Sequence, residues 1–493
     1  MNRKNYLPVA FFVGLFMFFL LYYIVIHPLI PYNSDDWMFM SANRIALPSI
    51  HAWNPSRVFP EFLMPLVSEL ASFLIYPLCH DYFLSQTILH SFVISIFLTS
   101  YVGMFYHLLC KRFSVEKKLA IMLSLLFLLF HYLIFRTQDT ANVHLFYSND
   151  LTCHYFYLIP NVVNAMLVMS LLKKDWLHGN DFNLVKKGML LLVVYLAICS
   201  NLFCSDILVI FLGTQILTTM PFGKKEAKKY ISFVKQNIWI FGIIGFWLFV
   251  NLMELMGPRA AYLAKEAQTV GFTSQLVTSI HSILAVRYNV FFVLFALFAL
   301  AVSVYALKKE KRLPLFTIQL LLSSVITVIY VILVSAKSVP SYSSRPDILF
   351  AVFFPIIVLA VLGIVKISRF GIWEKSIIAL PVLLLVLFSQ VNRSLPTFAD
   401  LRINANVPFS YTLETLQRAN YDILKQVVAA DRKTRVESVS IVVPYVKDDG
   451  QNWPYLLIYN NYSNALIQTL YKHGIIEKKF STTMVVGKKL SEY

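Results

Sequence analysis

Runs of about twenty apolar residues recur along this chain, and each is the length of helix that crosses a hydrocarbon core roughly 30 Å thick. A water-soluble core cannot absorb them, because 58% of the 493 residues are hydrophobic and the mean hydropathy is +0.65, well above an ordinary globular domain. In lipid only helices or closed barrels satisfy every backbone N–H and C=O, and these Leu, Phe, Ile and Val runs lack the strict alternation of barrel strands. The expected fold class is an all-α polytopic membrane helix bundle.

The first run, Leu7 to Ile30, follows the basic start MNRKN. It is longer than the apolar part of a signal peptide, and Pro31, Tyr32 and Asn33 offer no small-residue cleavage site. It reads as an uncleaved first span with a cytoplasmic amino terminus. Further spans are expected near 84–109, 119–135, 151–172, 189–205, 206–220, 237–256, 289–307, 315–335, 348–365 and 376–391, about eleven in all. Cytoplasmic loops carry an excess of Lys and Arg. With the amino terminus, KRFSVEKK, KKDWLHGNDFNLVKK, FGKKEAKKYISFVK, KKEKR and KISRFGIWEK hold 22 of the 43 basic residues, and the external loops hold 8. The net charge of +17 thus orients helices, and nucleic acid is not an expected partner. This topology requires that residues 60–78, with Glu61, Glu69 and three prolines, lie at the membrane surface or re-enter it without crossing. Two short spans over 189–220, broken at SNLFCSD, satisfy the same charge parity.

Beyond Val391 no segment is long enough to span. The expected division is 1–391, a transmembrane catalytic domain with an external loop at 31–83, and 392–493, a small soluble extracytoplasmic α/β domain. In it TLETLQRANYDILKQVVAADR reads as an amphipathic helix, VESVSIVVPYV as a strand, and LIYNNYSNALIQTLYKHG as a turn and helix. Five cysteines without CxxC spacing give no disulfide framework or zinc site, and no Gly-rich phosphate loop appears.

The polar residues gather on the external face. PYNSDDWMFM places Asp35 and Asp36 directly after the first span, and the same loop adds Trp53, Arg57 and Glu61. YSNDLTCHYFYLIPN contributes Asp150, His154, Tyr155 and Tyr157, SNLFCSD contributes Asp206, and SYSSRPD contributes Tyr342 and Arg345. Ionisable groups at a membrane bundle are costly, so their convergence from four segments marks a functional site, and carboxylates beside guanidiniums and aromatics suit an anionic sugar-bearing substrate.

An acidic pair after the first span, a following amphipathic segment, external polar clusters and a terminal soluble domain resemble the GT-C superfamily of integral membrane glycosyltransferases. Within it WNPSRVFPEFL, YSNDLTCHYFYLIPN, SNLFCSD and SYSSRPDILF are similar to bacterial glucosyltransferases of O-antigen serotype conversion. The last motif departs from that pattern, because Ser343 and Ser344 stand where Pro-Pro precedes the arginine. The resemblance implies a bacterial inner-membrane enzyme with its active site and carboxy-terminal domain in the periplasm. It would move a sugar, glucose by the subfamily, with inversion, from a polyprenyl-phosphate donor to a hydroxyl of a polysaccharide such as O-antigen. Asp35 or Asp36 would be the base, with Arg57 and Arg345 on the donor phosphate. Trp53, Glu61, Asp150, His154, Tyr155, Tyr157, Asp206 and Tyr342 would line the sugar and acceptor sites. No cofactor is assigned; a divalent metal held by His144, His154 and Asp150 is an alternative, as are hydrogen-bonded structural roles for those histidines. Two other classes fit a chain of this size. An O-antigen polymerase or ligase would concentrate function in large mid-chain loops, and a flippase would place charges in mid-helix.

Overall fold

The computed structural model describes residues 6–368 except 43, 136–143, 149, 175, 178–183, 222–226, 268–270 and a scatter of positions between 291 and 314. It also describes 402–493 except 407–408, 434–437, 447–454 and 456–460. The expected span at 376–391 and the domain boundary at 391 lie outside the described residues, and the span at 289–307 is interrupted by such positions.

Helices dominate. Among the described residues, eight helices are long and apolar enough to cross a membrane, and the chain is a multi-pass membrane protein. α1 (Tyr6–Leu21) continues through a wide turn to Ile26. A short α2 (Ser34–Met40) and α3 (Val58–Leu70) follow, the latter extending to Cys79. α4 (Tyr82–Arg112), at 31 residues, is about 46 Å long, more than the hydrocarbon core requires. α1 packs along its middle and end, with Ser91 Oγ donating to Tyr23 O at 2.9 Å and Phe12 edge-on to Tyr106.

The Val58–Cys79 run, expected at the membrane surface, is by length and composition also able to span. Its contacts follow only the first half of α4, from Phe59 beside Phe97 to Ser72 Oγ accepting from Gln86 Nε2 at 2.9 Å. A buried polar seam joins the two: His90 bonds Ser68 Oγ and Gln86 Oε1 through Nε2, each at 3.2 Å, and Tyr155 OH through Nδ1 at 2.6 Å.

α5 (Lys117–Leu133), α6 (Leu151–Lys173), α7 (Leu184–Ile198) and α8 (Leu202–Thr219) continue the bundle. The two short segments expected over 189–220 appear as α7 and α8, but the break is narrower than SNLFCSD. Asn201 caps α8, its Oδ1 accepting from Phe203 N at 3.0 Å, and the helix runs on through Asp206. The amphipathic α9 (Ala227–Gln236) leads into α10 (Ile238–Met256), α11 (Pro258–Ala267) and α12 (Phe272–Leu284). α13 (Leu315–Lys337), a 3₁₀ turn at Pro340–Ser344 and α14 (Pro346–Ser368) follow.

The carboxy-terminal region is a small α/β unit. An antiparallel hairpin, β1 (Ile403–Asn406) and β2 (Phe409–Thr412), leads into α15 (Leu413–Asp431). β3 (Ser438–Tyr445) pairs in parallel with β4 (Ser481–Lys489), with α16 (Asn461–Lys472) between them in sequence. α15, β3 and α16 fall where the hydrophobic pattern puts them; the hairpin and β4 are additions. α16 stops at Gly474, whose φ of +67° is open to glycine without strain.

This unit sits on the first loop. Thr469 Oγ1 donates to Trp37 O at 2.5 Å, Lys472 Nζ to Ser41 O, and Tyr421 OH to Asp81 Oδ2 at 2.7 Å. Tyr82 OH bonds His473 Nδ1 at 2.8 Å.

Candidate active site

The adjacent acids at the start of α2 have different jobs because they occupy different positions of a capping box. Asn33 is the N-cap: its Oδ1 accepts from Asp36 N at 2.9 Å, and Asp36 Oδ2 accepts from Asn33 N at 3.3 Å. Asp36 Oδ2 also accepts from Tyr32 N at 3.0 Å, and Oδ1 takes Thr152 N and Oγ1, both at 2.8 Å. The start of α6 answers in kind. Asp150 caps it by accepting from Cys153 N at 2.6 Å, while its other oxygen accepts from Asn33 Nδ2 at 2.8 Å. Asp36 and Asp150 therefore cross-tie two helix starts, and their oxygens are occupied by protein donors.

Asp35, one position earlier, turns to the other side and lines a cavity of about 270 Å³. It accepts no hydrogen bond from any described residue. Burial pushes its carboxyl up to about 6, with Asp150 adding to the rise and Arg259 and Arg57 opposing it. Burial also pushes Asp36 up, with Asp150 adding to the rise and the donors from Tyr32 and Thr152 opposing it.

Three guanidiniums share the cavity with Asp35. Arg57 precedes α3, with Cζ 5.5 Å from the centre of the Phe156 ring; its buried Nε has no hydrogen-bond partner among the described residues. Burial lowers its affinity for the proton, as expected of a cation without a bonded counter-charge. Arg345 is held the opposite way. Nε and Nη2 grip Asp347 at 3.0 and 2.5 Å, and the guanidinium lies over Tyr157 and Tyr342 at 4.5 and 5.2 Å. Ser343 makes this geometry by donating from Oγ to Ser279 O at 2.8 Å, which pins the 3₁₀ turn to α12 just before Arg345. The third is Arg259, in the first turn of α11, whose Nη1 donates to Asn54 Oδ1 at 3.0 Å.

Of the other candidates, Trp53, Tyr157 and Tyr342 line the cavity. Trp53 is 47% exposed and leans on Tyr262. Glu61, Asp150, His154, Tyr155 and Asp206 do not line it. Glu61 braces the loop beneath, accepting from Arg44 Nη1 at 2.6 Å and Asn54 Nδ2 at 2.8 Å. His154 bonds the Asp150 carbonyl through Nδ1 at 2.8 Å, and Tyr155 belongs to the His90 seam. Asp206 is fully buried inside α8 and neither carboxyl oxygen has a partner among the described residues. The sequence placed it at the cavity because SNLFCSD reads as one break, whereas Asn201 caps the helix and Asp206 falls more than a turn inside it.

Sequence reasoning missed Arg259 and Glu254. Glu254 Oε1 accepts from Ser56 N at 2.7 Å and from Ser56 Oγ, fastening the first loop to the end of α10. Gly257 makes room for that contact, since a Cβ there would meet Pro55 Cγ at 2.3 Å. The available signal was the Gly-Pro break followed by Arg at the end of an expected span. Among the described residues no group of three or more His, Cys, Asp and Glu is placed to hold a metal ion. The donor set agrees, because Asp36 and Asp150 are already filled and His154 uses Nδ1 on a carbonyl.

No protein-family model matches the chain, and no curated protein matches it. Among solved structures, the oligosaccharyltransferase of Archaeoglobus fulgidus, in complex with zinc and sulfate, is similar over 93% of this chain, at 11% identity and a TM-score of 0.47. The chain spans 61% of that protein's length.

The division of labour between the two aspartates is testable by stability. Asp36→Asn turns an amide N–H₂ toward N–H and O–H groups that now donate to a carboxylate. The expected result is a loss of about 2–4 kcal/mol, from buried donors left unmatched, seen as a lower thermal midpoint in detergent; an unchanged midpoint would show that Asp36 does not hold the two helix starts together.

Proposed function

We propose that this chain is an inverting membrane glycosyltransferase of GT-C type. In this reading it moves a sugar from a polyprenyl-phosphate carrier to a hydroxyl of a cell-surface polysaccharide such as O-antigen, at the periplasmic face of a bacterial inner membrane. The observation that carries the reading is Asp35, a carboxylate without a hydrogen-bond partner among the described residues, facing a cavity with three guanidiniums and three tyrosines.

The chemistry needs a base and a stabiliser of the leaving group. Asp35, held up near 6 by burial, is mostly ionised at neutral pH yet basic enough to take a hydroxyl proton. As that proton moves to Asp35, the acceptor oxygen attacks the anomeric carbon and the bond from that carbon to the phosphate oxygen breaks with its electrons. One displacement from the face opposite the phosphate inverts the anomeric centre. Arg57 and Arg259, neither paired with a carboxylate among the described residues, take up the charge on the departing phosphate. Arg345, held by Asp347, offers its remaining N–H groups and positions Tyr157 and Tyr342 as walls for the sugar.

The decisive experiment expresses the chain in a bacterium with a defined lipopolysaccharide and reads the mass of the glycan. Addition of one hexose per repeat is expected. A change only in chain length would identify a polymerase, and an unaltered glycan with altered lipid-linked sugar distribution would identify a flippase. Reporter fusions test the orientation: the KKEKR loop should report cytoplasmic and residues after 402 periplasmic, and an external KKEKR loop would overturn the placement.

A further inference from the structure

The helices that frame the arginine cavity carry a second, larger one at their opposite ends. α6 supplies Tyr157 to the first and Leu171 to the second, roughly 21 Å further along the helix axis. α10 and α13 likewise begin at the second cavity and end toward the first. The second cavity encloses about 460 Å³. Its polar wall is Arg112, Gln215, Thr219, Asn237 and Gln319. The rest is apolar, including Phe113 and Phe316, which meet edge-on at 5.5 Å.

We propose that this cavity seats the head group of an anionic phospholipid: a phosphodiester that carries free hydroxyls, with its acyl chains along the apolar wall. Three features lead there. One guanidinium matches the single negative charge of a phosphodiester, and three carboxamides both donate to and accept from hydroxyls, which a choline head group does not offer, while Thr219 Oγ1, which donates to Gln215 O at 2.6 Å, adds an acceptor. The cavity lies at the ends of membrane-crossing helices, the depth of a lipid head group. Finally, Asn237 joins the cavity directly to α9, AKKYISFVKQ. On that helix Lys228, Lys229, Ser232 and Gln236 lie on one side, while Tyr230, Ile231 and Val234 lie on the other, Ile231 and Val234 being 56% and 43% exposed among the described residues. A helix with an uncovered apolar face and a lysine face rests on an anionic membrane surface. The cavity at its foot is where one molecule of that surface would be bound individually. This assignment does not depend on the sugar-transfer reading.

The test uses the full chain in detergent, titrated with phosphatidylglycerol, with phosphatidylcholine of the same acyl chains, and with soluble glycerol phosphate, and read by native mass spectrometry and thermal midpoint. Phosphatidylglycerol is expected to bind at least about five-fold more tightly than phosphatidylcholine, the worth of one interfacial cation, and to raise the midpoint. Arg112→Gln should abolish that preference and Gln215→Leu should weaken it, whereas Lys425→Gln, an exposed charge on α15, should leave it intact. Equal binding of the two lipids overturns the proposal, as does undiminished preference in Arg112→Gln. Stabilisation by glycerol phosphate equal to that by the lipid overturns the lipid assignment in favour of a soluble phosphate ester.

Discussion

Asp35→Asn is expected to lower sugar transfer by roughly 10² to 10⁴-fold, the usual worth of a general base, while the protein inserts and melts no lower than the parent. The two halves follow from one observation. A carboxylate with no donor among the described residues and a proton affinity raised by burial costs the folded state something to keep ionised, and Asn removes that cost. In the parent, transfer should fall as pH drops through about 6, because a base raised to that value is neutralised below it; above that pH the profile should be flat. A variant that keeps full activity would remove Asp35 from the chemistry, and a profile with no acid limb near 6 would assign the proton transfer elsewhere.

Arg57→Met should be the second large effect, about 10² to 10³-fold in transfer, comparable to deleting one charge-stabilising donor. Here too stability should hold or rise, because the guanidinium is buried without a bonded counter-charge among the described residues and Met replaces that cation with apolar volume. The acid limb gives an independent readout. Arg57 pulls the Asp35 proton affinity down, so its removal should move that limb to higher pH. Arg345 provides the contrast: removing it strands Asp347, whose side chain is 5% exposed, so Arg345→Ala should lose several kcal/mol of stability. Parallel loss of stability in Arg57→Met would mean that the arginine is structural.

What the sequence carried and what it did not divide along physical lines. Apolar run length is a local property, so most of the expected spans, α15 and β3 could be read directly, but not that Val58–Cys79 is also long and apolar enough to cross. The meeting of Asp35, Arg57, Tyr157, Tyr342 and Arg345 could be anticipated, because charge parity sends their segments to one face. Which of two adjacent acids faces the cavity was not legible. That depends on Asn33 completing a capping box with Asp36 and on Thr152, from a segment 116 residues away, donating to the same carboxylate. Asp206 misled because a polar string need not be a helix break throughout. Arg259 was passed over because a lone arginine after a span has no periodic partner to mark it.

The seating of α16 on α2 has a consequence for when the cavity comes into being. Thr469 holds the Trp37 carbonyl and Lys472 that of Ser41, so the helix that presents Asp35 is steadied by residues translated more than 400 positions later. A ribosome extruding this chain would insert its membrane helices one after another with the Asp35 segment still lacking its outer support. The chemistry would switch on only when α16 had folded and come down, so partly made chains in the membrane would be silent ones.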